Sequence, residues 1–219
     1  MANPADLLPL ADNTELLLRG ALFTLELTAI GAVLGLSLGA VGALVQARNI
    51  RPLASLFGFY IELVRNTPFL AQLLCIFFGL PALGVPISPW QAAALAMVIN
   101  LGAHATHSIG ESLQALPRPP SDASHPGLLR AALRNAWPAL SNQVIIVMLG
   151  SSVCSVIATQ ELSYVANAIQ ARNAHAFQTY ALVTLVYLCM ALMSRQLLHW
   201  IGQRLFAEDA TLQYRPDGA

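Results

Sequence analysis

Three side chains with titratable or metal-ligating chemistry fall within one apolar stretch: His104, His107 and Glu111. Their spacing, i, i+3 and i+7, puts them on one face of a helix. Ionisable groups inside a membrane span are costly, so by default they mark a functional position. Three chemistries stay open to them. They can line a path and touch a polar solute. They can hydrogen-bond to neighbouring helices or sit at the inner interface. They can also relay protons or hold a metal, although His-x-x-His with one Glu supplies few ligands. Gln72, Asn100 and Gln143 are uncharged polar groups at or near the same depth, where interhelical hydrogen bonds account for them. Glu62 and Arg65 lie one helical turn apart and are expected to form a weak interfacial pair. Glu161 and Arg172 flank a short polar stretch that reads as a solvated loop.

Covalent catalysis finds no support. No Gly-x-Ser-x-Gly, His-Glu-x-x-His or phosphate-cradling Gly-Lys-Ser/Thr occurs, so the chain reads as neither an enzyme nor an ATP binder. Cys75, Cys154 and Cys189 lie in apolar runs at spacings that fit no metal site or disulfide framework, and read as small apolar fillers.

The elements that must hold these groups are membrane helices. The 219 residues are 56% hydrophobic and only 10% charged, against about a quarter charged in a soluble domain. A single transmembrane domain over residues 1–219 follows. Zero net charge gives no reason to expect nucleic-acid binding. The acidic start (Asp6, Asp12, Glu15 against Arg19) is the reverse of a cleavable signal.

Apolar runs place spans at about 20–45, 67–80, 90–112, 138–159 and 177–198. Asn13-Thr14 with Glu15 is a helix start. Gly31, Gly35 and Gly39 recur every fourth residue, a spacing that lets helices approach closely in lipid, within the chain or between two chains. Residues 62–68 form a polar entrance to the second span, in which Asn66 or Thr67 caps the helix beginning at Pro68. Residues 128–137 read as a short amphipathic helix ahead of the fourth span. Arg48, Arg51, Arg65, Arg118, Arg130, Arg134, Arg195 and Arg204 mark the cytoplasmic side, giving an N-out, C-in topology.

Residues 62–81, ELVRNTPFLAQLLCIFFGLP, resemble the permease subunits of bacterial ABC importers for polar amino acids, the histidine, glutamine and arginine permease family. Glu62, Arg65, Asn66, Thr67, Pro68, Gln72, Phe78, Gly79, Leu80 and Pro81 match that family's segment in order. Asn100-Leu-Gly102-Ala103, Ser141-Asn142-Gln143 and Ser155-Val-Ile157 with Glu161-Leu162 resemble later blocks. The resemblance implies an all-α membrane protein of the type I ABC importer permease kind, with five spans, in the bacterial inner membrane. It implies a translocation path touched by Gln72, Asn100, His104, His107 and Gln143. It implies as partners a second copy or a sister permease, ABC ATPase subunits, a periplasmic substrate-binding protein (which Glu161 and Arg172 are placed to meet) and a small polar amino acid. No cofactor is expected on this chain; ATP and magnesium belong to the ATPase.

The chain departs from that pattern in three places. His107 stands at the family's Glu, and Gly110 at its Arg. Leu149-Gly150 replaces Lys-Asp. The ATPase-coupling loop, expected at about 114–137, keeps only Asp122-Ala123-Ser124 and Gly127 of its motif. It is about ten residues short, a helical length of about 15 Å. These departures leave two other functions open: a non-coupling partner of a sister permease, or a proton- or metal-coupled carrier.

Overall fold

Apolar runs of this length satisfy their backbone groups internally in lipid only as helices. In the computed structural model, which describes residues 13–116, 126–173 and 176–207, the regular structure is helical throughout. The helices are α1 (Thr14–Ala47), α2 (Leu53–Arg65), α3 (Phe69–Ala82), α4 (Pro89–Gln114), α5 (Pro126–Gly150), α6 (Leu162–Asn173) and α7 (Ala176–Phe206). A 3₁₀ segment, Ser151–Ile157, extends α5. Among the described residues four helical segments are long and apolar enough to cross a membrane: α1, α4, α5 with its 3₁₀ extension, and α7. The pair α2–α3, bent by 112°, makes a fifth when taken together. The 14-residue α3 rises only about 21 Å by itself, short of a hydrocarbon core of about 30 Å.

The glycine repeat of α1 faces inward, against α4. A Cβ on Gly31 would lie 3.3 Å from Met97 Cβ, one on Gly35 2.9 Å from Leu101 Cβ, and one on Gly39 would overlap Ala105 Cβ. The contacts advance by four residues on both helices in the same direction, so α1 and α4 run parallel. The seam is therefore within one chain. Gly42 continues it, with Thr106 and Phe57 of α2 against its face.

The core forms three layers. Leu27, Leu73, Met97, Leu101 and Val144 fill the middle. Leu17, Met148, Leu162, Ile169 and Val183 close one end. Ala43, Ile109, Leu113, Ala136 and Leu140 close the other. Ser88 and Gln91 form a reciprocal capping box at the start of α4, with Pro89 in its first turn.

Two expectations need correction. Residues 128–137 are not a separate amphipathic helix; they are the first turns of α5, which continues through Pro138. Trp137 accounts for the continuity, because its indole N–H donates to Leu198 O of α7 at 3.0 Å and fastens the helix across the proline. The polar stretch after Glu161 is not a loop but α6, whose Leu162, Ala166 and Ile169 are buried.

Gly39→Ala should unfold in detergent at a clearly lower temperature than wild type, a cost of about 1–3 kcal/mol for overpacking. Gly110→Ala, where a Cβ meets nothing within 4 Å, should be neutral or stabilising. Equal thermal shifts for the two would sink the seam argument.

Candidate translocation site at a helix break

The break between α2 and α3 interrupts the helical partners of the last carbonyls of α2, of which Glu62 O still accepts the Asn66 backbone N–H at 3.1 Å. Local side chains cap three of them. Asn66 Nδ2 donates to Glu62 O at 2.8 Å and Thr67 Oγ1 to Leu63 O at 2.8 Å. Gln72 Nε2 reaches back from α3 to Val64 O at 2.7 Å and Thr67 O at 3.0 Å. Asn66 and Thr67 thus close the end of α2. They do not cap α3, as had been expected; its N-cap is Pro68, without a side-chain hydrogen bond.

Gln72 also faces across to α4. Its Oε1 accepts from Asn100 Nδ2 at 3.1 Å, so one amide ties α2, α3 and α4 together. Tyr60 fixes the same junction from α2, donating to Ile99 O at 2.5 Å. Its hydroxyl would be only 2.8 Å from a Cβ on Gly102, a position that has to stay bare.

Asn100, His104, His107 and Glu111 continue down α4 at spacings of four, three and four. His104 is partly buried, with Arg65 of α2 within electrostatic reach and His107 one turn further along α4. His107 Nε2 lies 3.1 Å from Glu111 Oε1. The Glu111 side chain is 67% exposed, so the pair contributes little to stability.

The structure therefore gathers Arg65, Gln72, Asn100, His104 and His107 into one polar strip. Gln143, partly buried on α5, shares no hydrogen bond with them. Glu62 and Arg65 are both exposed and form no ion pair among the described residues, contrary to the expected interfacial couple. No group of three His, Cys, Asp or Glu side chains could hold a metal among the described residues, which removes support from the metal reading of His104, His107 and Glu111. Asp122, Ala123 and Ser124 lie outside the described residues, and Gly127 sits in the first turn of α5.

No family model matches the chain. It is similar to the L-cystine transport system permease protein TcyB of Bacillus subtilis (strain 168), 31% identical over 165 residues, 70% of each chain. It is also similar to the probable glutamine ABC transporter permease protein GlnM of the same organism, 26% identical over 207 residues, covering 90% of this chain and 96% of that one. The crystal structure of an amino acid ABC transporter with histidines superposes with a TM-score of 0.81 at 30% identity, over 93% of this chain and all of that one. The chain belongs to the amino-acid ABC transporter permeases.

It is thus a transmembrane subunit of an importer, and ATP hydrolysis resides on a separate subunit. The permease also holds one polar node that sequence reasoning misplaced. Glu161, expected in a solvated loop, is fully buried and caps α6. Its carboxylate accepts from Ser163 N at 2.9 Å, Tyr164 N at 2.8 Å and the Tyr187 hydroxyl at 2.6 Å. Thr24 of α1 accepts from Leu162 N at 3.2 Å beside it. An acidic residue directly before an apolar-periodic run was the available signal for an N-cap. Its burial could not be read, because that depends on α1 and α7. Arg172, at the far end of α6, is exposed and lines a cavity of about 500 Å³ with Arg19, Glu26 and Gln160.

Burial raises the Glu161 pKa above the usual carboxylate range, outweighing the three donors that favour its charged form. With the folded-state pKa above the unfolded one, the stabilising contribution is full below the ordinary carboxylate range and is lost as pH rises through the folded pKa. The thermal midpoint in detergent should therefore fall over that window in wild type, and Glu161→Gln should remove that part of the slope. A parallel pH profile for Glu161→Gln would refute the assignment.

A double-mutant cycle of Gln72→Ala and Asn100→Ala on thermal stability should show a coupling of about 0.5–1.5 kcal/mol, the range of interhelical hydrogen bonds in membranes. Additive losses would mean that the two amides do not act together.

Proposed function

We infer that the polar strip along α4, opposite the α2–α3 break, is this subunit's share of the path for a small polar amino acid. The observation that carries the reading is the Gln72–Asn100 hydrogen bond at a helix break, with His104 and His107 continuing on the same face. Interrupted helices at membrane depth are tolerated where they are buried in protein or line a cavity. The amides of Gln72 and Asn100 offer both donors and acceptors, as a zwitterion requires. Arg65 adds a cation for the carboxylate, and Gln143, partly buried on α5, is the contribution of a further helix.

The topology is N-out and C-in. Arg48, Arg51, Arg130, Arg134, Arg195 and Arg204 gather toward one end of the bundle, and Arg19 and Arg172 lie at the other, which supports this orientation. The permease pairs with a second copy or a sister permease. The segment containing Asp122, Ala123 and Ser124, together with Gly127, docks the ATPase. The outer ends of α1 and α6, with Arg172, meet the periplasmic binding protein. ATP binding and release on the partner shift the pair between inward- and outward-open states through differential contacts in each.

The test is uptake in proteoliposomes holding the permease, its ATPase and its binding protein. Wild type should accumulate amino acid only with ATP. His104→Ala with His107→Ala should lower uptake by about tenfold, a barrier change of about 1.4 kcal/mol, while the complex stays assembled. Unchanged uptake by the double variant at both about pH 6 and about pH 8, either side of histidine's usual range, would remove the strip from the path. Failure of wild type to retain the ATPase would overturn the coupling role.

A further inference from the structure

A groove between α5 and α7 has no part in the path just described. It consists of two adjoining cavities, of about 490 and 360 Å³, that share Trp137, Pro138 and His199. Its deep end is apolar, lined by Ile145, Ala191 and Leu192. Its other end carries Arg195, His199 and Arg134. No carboxylate lines either cavity among the described residues.

Among the described residues, most of the groove's polar groups are without a hydrogen-bond partner. Neither Arg134 nor Arg195 forms an ion pair or a hydrogen bond among the described residues. Asn142 lines the wall with its amide free, and Ser141 Oγ is buried there without a partner. Among the described residues His199 bonds to Gln203, one turn along α7. The floor is closely packed: the Trp137 indole N–H donates to Leu198 O, and a Cβ on Gly202 would run into the indole nitrogen.

Depth gives the groove a direction. A hydrocarbon core of about 30 Å that begins at the first turn of α7 ends after about 20 residues, close to residue 196. Arg195 then sits at the boundary, His199 lies beyond it, and Leu192 lies within the core. Leu192, Met193 and Leu197 are exposed along the same stretch of α7. A site that is apolar within the core and cationic at its edge fits an amphiphile. Basic pockets between spans are a recurring form of lipid recognition.

We propose that this groove binds an anionic phospholipid, with its phosphate among Arg195, His199 and Arg134 and an acyl chain along Ile145 and Leu192. Asn142 and Ser141 face the ester and glycerol oxygens. Free phosphate shares the headgroup chemistry but leaves the apolar end uncovered. The assignment is independent of the transport path, because none of these residues lies on the strip of α4.

The test uses the full-length permease in nanodiscs of phosphatidylcholine, alone or mixed with phosphatidylglycerol, with lipids retained after detergent extraction quantified by mass spectrometry. Wild type should retain phosphatidylglycerol selectively and melt higher in its presence. Arg134→Gln with Arg195→Gln should weaken retention by about 30-fold, the effect of two interfacial arginines. The Lys replacements at both positions should restore most of it. Arg48→Gln with Arg51→Gln, in the turn between α1 and α2 and lining neither cavity, should leave phosphatidylglycerol retention unchanged. Inorganic phosphate added to phosphatidylcholine discs should not raise the melting temperature; if it does so as strongly as the lipid, a soluble anion is the ligand and the proposal fails. Equal retention by wild type and the Gln pair also overturns it. So does a Gln pair that loses permease pairing while keeping its lipid, which would make the groove a protein interface.

Discussion

Everything in this subunit accommodates one constraint: a backbone that breaks within the membrane must find hydrogen-bond partners from its own neighbours. At the α2–α3 junction Asn66, Thr67 and Gln72 supply them, and Gln72 makes the arrangement tertiary by reaching Asn100. An unsatisfied carbonyl in that setting would cost several kcal/mol, so the break persists only while these amides are in place. The polar surface left around it is the surface proposed as the path for a solute.

The seam between α1 and α4 sets where that surface can be. Its glycines let α4 approach to backbone distance, which leaves the adjoining face of α4, about a quarter turn away, to the broken pair and its polar residues. The bare position at Gly102 serves the same end from α2, because it admits the Tyr60 hydroxyl. Packing and chemistry are thus divided between two faces of one helix, and the spacing of residues along α4 encodes both.

Much of this was legible in the sequence. The glycine repeat announced a close helix contact, and the apolar runs announced the long helices. The segment from Glu62 to Pro81 pointed to the family. What the sequence concealed were properties shared between distant elements. Asn66 and Thr67 suit either end of a helix, and only the position of α2 shows which end they serve. The burial of Glu161 depends on Tyr187, 26 residues away on α7. Pro138 looked like a boundary because a proline removes a backbone donor, but Trp137 and α7 hold the helix together there. The groove cations are scattered over 134, 195 and 199, and no local window brings them together.

The parallel packing of α1 on α4 has a mechanical consequence. Two helices joined at backbone distance along Gly31, Gly35, Gly39 and Gly42 behave as a single beam, because sliding by less than a full turn would drive a glycine notch onto a side chain. Alternation between the two faces of the membrane must then come from hinging elsewhere. Wherever α4 moves, α1 travels with it.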